Sequence, residues 1–180
     1  MRARIRIVPV ILTVAISATL LFGGLALYNK LAVAAPFEQA LYNIPGIDQA
    51  KKPVIADDEV NIQLRLAEDA SLKDVYERIA AEGKSIIGGK TIHIETDSAP
   101  NEQLQALWNS VLFEIAEAME TRTYSNIPAA LDAAAQNYEG VSVTTEMNDS
   151  YVFVTMRNGD AVQYEMLPRV PGKMGAWSNE

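Results

Sequence analysis

Residues 150–156 read SYVFVTM, a stretch that alternates like a β-strand yet carries apolar side chains on both of its faces. Tyr151 and Phe153 point one way, Val152, Val154 and Met156 the other. A strand of that kind is stable only where both sides are covered, so it belongs at the centre of a sheet, with helices on at least one side. Its neighbours VSVTTEM and DAVQYEML complete a three-stranded meander. The connections are Asn148-Asp149-Ser150, which also matches a glycosylation sequon, and Asn158-Gly159, a strong short hairpin signal. A two-residue Asn158-Gly159 turn sets Thr155 opposite Val162, Phe153 opposite Tyr164 and Tyr151 opposite Met166. A three-residue loop at 148–150 brings Val141, Val143 and Met147 onto that same face.

The helices to cover this sheet precede it. Leu104, Leu107, Trp108, Val111, Leu112, Ile115 and Met119 recur at helical spacing after Pro100, which predicts an amphipathic helix with Trp108 in the core. A second, alanine-rich helix is expected over about Pro128 to Tyr138, ended by Gly140. Farther upstream, Phe37, Leu41 and Ile44 mark a short helix stopped by Pro45-Gly46. In VNIQLRL, Val60, Ile62, Leu64 and Leu66 alternate inward. Pro53 confines the preceding run to a sheet edge. Ser71 opens a helix with Asp74 three residues on, and Gly83 is the expected stop. TIHIE follows as a strand, with Ile92 and Ile94 on one face and Thr91, His93 and Glu95 on the other. The order α-β-β-α-β, then α-α-β-β-β, makes residues 37–168 an α+β domain of mostly antiparallel sheet with packed helices and a C-terminal β-meander.

The first of these groups, residues 37–95, with its Ile44-Pro45-Gly46-Ile47 break after a short helix, resembles the small ring-building or BON-type α-β-β-α-β modules of bacterial envelope proteins. The likeness covers about a third of the chain, has no diagnostic residue, and lacks a glycine turn at Asp57-Asp58. The rest of the sequence resembles no such module.

From Ile7 to Tyr28 the chain carries no charge, and about 22 residues at 1.5 Å each reach roughly 33 Å, enough for a ~30 Å hydrocarbon layer. Residues 7–28 are therefore expected to form a transmembrane helix embedded in a lipid bilayer. Residues 1–6 then form a basic cytoplasmic stub, 29–36 a linker, and 169–180 a flexible tail. Arg2, Arg4 and Arg6 place the N-terminus in the cytoplasm and the C-terminal domain outside. The alternative is a signal peptide cleaved after Ala34, at Ala32-Val33-Ala34, leaving a secreted binding or inhibitor protein. All 23 Asp and Glu lie from residue 30 onward, as do 12 of the 15 Lys and Arg, so that portion, Lys30 included, carries a formal −11. Such a charge repels nucleic acid, and no nucleic-acid partner is expected. There is no cysteine, so neither disulfides nor thiol chemistry hold the fold.

Catalytic signatures are weak. Gly89-Lys90-Thr91 resembles the end of a Walker A loop. The first glycine is one position off, however, and a helix ends where one should begin, so no nucleotide is expected. His93 is the lone histidine and has no thiol or second imidazole to share a metal with. Asp57-Asp58-Glu59 and Glu68-Asp69 are the densest carboxylates; two acids meeting in space would suit an envelope glycan hydrolase. Trp177, in the tail, is a candidate interaction handle. No catalytic, cofactor or metal residue is assigned. The expected function is a non-enzymatic, single-pass protein whose acidic extracytoplasmic domain binds an envelope protein as an assembly component.

Overall fold

The computed structural model describes residues 7–28, 34–56 and 58–169. Its helices are α1 (Ile7–Tyr28), α2 (Ala35–Tyr42), α3 (Leu72–Ile87), α4 (Glu102–Glu120) and α5 (Asn126–Ala135). Its strands are β1 (Ile47–Ala50), β2 (Val54–Ile55), β3 (Glu59–Leu66), β4 (Thr91–Thr96), β5 (Val141–Met147), β6 (Tyr151–Asn158) and β7 (Ala161–Pro168).

The alternation in β3 buries Val60, Ile62, Leu64 and Leu66 as expected, and β3 becomes the middle of the first sheet. β1 and β2 lie antiparallel along one edge, on either side of the Pro53 break. β4 lies parallel along the other. A parallel neighbour needs a crossover, and α3 supplies it. Ser71 caps α3 by accepting the Asp74 amide at 3.1 Å. The helix does not stop at Gly83. The apolar recurrence Val75, Ile79, Gly83, Ile87 carries it one turn further, and Gly88, at φ +68°, takes the left-handed stop. Gly83 serves a different purpose: a Cβ there would lie 3.0 Å from Cε2 of Phe37, so its bareness lets α2 pack closely on α3.

The second sheet is the expected meander, β5-β6-β7, with both registers altered. Between β6 and β7 the two-residue turn is Gly159-Asp160. Asn158 therefore pairs with Ala161, Thr155 with Tyr164 and Phe153 with Met166. Positive φ falls only on Gly159, so Asn158 is free to end the strand. This displacement is even, and the faces are kept. Between β5 and β6 the displacement is odd. Asn148 Oδ1 accepts the amides of Ser150 and Tyr151, each at 2.9 Å, and the Asn148 amide donates to Tyr151 O. This closure adds Tyr151 to the loop and pairs Met147 with Val152. Val141 and Val143 thereby join Val152, Val154 and Met156, not Tyr151 and Phe153.

β6 is consequently shared by two cores. Phe153, with Tyr164, packs into the cluster formed by α2, α3 and β3. Val152, Val154 and Met156 pack beneath α4 and α5, against Leu104, Leu107, Val111, Ile115, Ile127 and Leu131. In α4, Ala118 is buried. Trp108 and Met119 flank the cluster, half-buried, and Leu112 is exposed.

The transmembrane helix expected over residues 7–28 is corrected here. Among the described residues no helix is long and apolar enough to cross a membrane. The single-pass anchor, the signal-anchor reading and the extracytoplasmic placement of the C-terminal domain fall with it. The stub at 1–6 and the tail from 170 lie outside the described residues, as does most of the linker.

The Gly83 contact yields a test. Gly83→Val is expected to destabilise the fold by about 1–3 kcal/mol through overpacking against Phe37. Gly89→Ala, in open space, should stay within about 0.5 kcal/mol. Urea denaturation of the two variants checks both.

Candidate functional site

Among the described residues one backbone bridge joins the two sheets. Just beyond β4, Ala99 donates to Val162 O at 2.9 Å, and Val162 donates back to Ala99 O at 3.3 Å. The Tyr164 amide donates to Ser98 Oγ at 3.2 Å. From that junction β4 and β7 diverge, and a groove of about 710 Å³ opens between them. Its walls are Ile92 and Ile94 from β4, Met166 and Pro168 from β7, and Tyr151 from β6, with Glu59, Asn61, His93 and Glu95 along the rim.

The backbone direction of β4 follows from two hydrogen bonds. The Thr91 amide donates to Asp58 O and the Asp97 amide to Leu64 O, both at 2.8 Å and both toward β3. Main-chain groups alternate sides along a strand. Ile92, Ile94 and Thr96 therefore aim theirs away from β3, into the groove. β7 behaves likewise: Val162 turns its main chain toward Ala99, so Met166, two pairs farther on, turns its own toward the groove. Two strand edges thus face each other over an apolar floor.

That floor is packed against α3. Tyr76 of α3 makes an edge-on contact with Tyr151, with ring centroids 5.2 Å apart, and a tilted one with Phe153 at 5.5 Å. The α3 cap is tied to the second sheet as well, because Ser71 Oγ donates to Glu146 Oε2 at 2.7 Å. Burial, and then the neighbouring Tyr151, push the Tyr76 phenol above its ordinary 10.0.

The groove rim is acidic and lightly paired. Glu59 lies 3.7 Å from His93 Nε2, both well exposed, and Glu95 is exposed beside them. On the opposite side of the junction is a polar hollow of about 550 Å³. There the cations are matched within the fold. Arg65 faces Asp97 at 3.7 Å, while Arg157 donates to Tyr164 Oη at 3.3 Å and stacks over that ring.

The residues singled out in the sequence fall as follows. The loop at 88–90 runs helix, turn, strand. The Thr91 amide is used in the sheet, and Lys90 donates to Ala56 O. His93 is exposed, on the face opposite the isoleucines. Asp57 lies outside the described residues, and Asp58 is exposed. Glu68 and Asp69 are exposed in a shallow cleft with Glu146 and Arg157. Trp177 lies outside the described residues. Among the described residues no group of three metal-ligating side chains converges. The groove itself was missed: the parity of TIHIE was visible in the sequence, but its divergence from β7 depends on contacts some 70 residues away.

Because the folded state favours the neutral Tyr76 phenol, the associated stabilisation is present below pH about 10 and lost as pH rises through the higher folded-state value. Absorbance titration of the phenolate band should show a late-ionising component, and Tyr76→Phe should remove it. Comparison of the chain with protein-family models, with known proteins and with solved structures found no match. The likeness of residues 37–95 to ring-building or BON-type modules therefore rests on the order of elements and the break at Pro45-Gly46.

Proposed function

We propose that this chain is a protein-binding module, acting as an assembly component by receiving a segment of another protein along β4. The observation that carries this reading is the open β4 edge set against the β7 edge over an apolar floor. An unpaired edge of this length is a standing template for strand pairing, and folds ordinarily blunt it. The opposite margin of the same sheet is blunted. It is split into β1 and β2, and Lys51, Lys52 and Pro53 lie at the break. β4 has six residues, with no proline and no lysine among them. A fold that protects one margin and, among the described residues, leaves the other bare beside a groove is suited to strand addition.

A photo-crosslinker placed at Glu95 should give one defined adduct in cells, mapping to an extended segment of a second protein. The same group at Asp132, on the exposed side of α5, should not give that adduct. Equal labelling from both positions, or monomer alone from Glu95, would sink the reading.

A further inference from the structure

The two faces of the bare edge differ in chemistry, and that difference specifies the segment. A strand added along β4 alternates its side chains in step with β4. One set continues the face of Ile92 and Ile94 and lands among Tyr151 and Met166. The other set continues the face of Thr91, His93 and Glu95, next to Glu59 on β3, which pairs with Thr91 in register. Glu59 and Glu95 lie on that second face with His93; the other cations of the face are engaged on the β3 side, Arg65 by Asp97 at 3.7 Å and Lys51 by Gln63 at 3.1 Å. Resting on the protein-binding reading above, we infer that the occupant is an extended segment of a partner protein in which apolar residues alternate with lysine or arginine.

The length of the slot follows from the same geometry. Ile92 and Ile94 each offer an amide and a carbonyl to the groove. Thr96 offers its amide, since its carbonyl already accepts the Ser98 amide at 2.7 Å. The slot is closed at the Ala99–Val162 junction, so the segment enters from the Thr91 and Pro168 end. About five residues fill it. Cross-strand neighbours then pair opposite charges on the outer face and apolar groups on the inner, the two pairings that stabilise a ladder. Pairing with the β4 strand of a second copy would bring Thr91, His93 and Glu95, and no lysine or arginine, to that outer face. Among the described residues the outer edge of β5 is also without a strand neighbour. Its exposed face there carries Ser142 and Thr144, and it has no second strand edge facing it across a groove.

The test uses full-length protein and a fluorescein-labelled heptapeptide of alternating valine and lysine, read by fluorescence anisotropy. Binding is expected, weakened about tenfold or more in the Glu59→Lys, Glu95→Lys double variant. The counterpart peptide with glutamate for lysine should show the reverse preference. A peptide N-methylated along one edge, and one of the same composition with its valines and lysines in blocks, should each bind about tenfold more weakly or worse. Ile94→Pro should act like N-methylation, and the modified peptides cover the case in which that variant does not fold. Equal affinity for alternating, blocked and N-methylated peptides would overturn the proposal, as would a concentration-dependent dimer abolished by the double variant. A Glu95 crosslink to an extended segment lacking cationic alternation would overturn this inference while leaving the protein-binding reading intact.

Discussion

Burial of β6 on both faces is the constraint from which the rest of the fold follows. Phe153 belongs to one core and Val152, Val154 and Met156 to the other, so one strand holds two helical layers apart and in register. The aromatic trio of Tyr76, Tyr151 and Phe153 fixes α3 over that strand, and the Ser71–Glu146 hydrogen bond fixes its N-terminus. Because α3 connects β3 to β4, clamping α3 also determines where β4 lies relative to β7. The groove is the space left by that placement.

Periodicity made much of this legible. The inward set of β3, the main stripe of α4, the cap at Ser71 and the central place of β6 can all be read from side-chain recurrence, a local property. What failed was counting across turns. The Asn148 side chain folds back on two amides and takes Tyr151 into the loop, an odd displacement that sends Val141 and Val143 to the other core. Gly159 takes the one positive φ of its turn, which moves that hairpin by an even step that changes no face. Gly83 looked like a helix stop because glycine often is one; here the contact with Phe37 explains it better. The apolar run near the N-terminus satisfied a length and charge rule, yet among the described residues no helix is long and apolar enough to cross a membrane.

The candidate site was legible only in halves. That Ile92 and Ile94 share a face, with His93 and Glu95 opposite, follows from alternation. That the same strand pairs in parallel with β3, and parts from β7 after one bridge, depends on segments distant in the chain. Local patterning can say which side chains a strand presents. It cannot say which margin will be left without a neighbour.

The sharing of β6 also bears on how such a chain can change over generations. The connection between β4 and α4 looks like a natural place to cut the sequence into two modules. Divided there, however, the first piece loses Phe153 and Tyr164 from its interior, and the second keeps a strand with one oily flank bare. Neither half is a transferable part. Recombination would have to pass the whole of α2 through β7 as one heritable block, with its groove included.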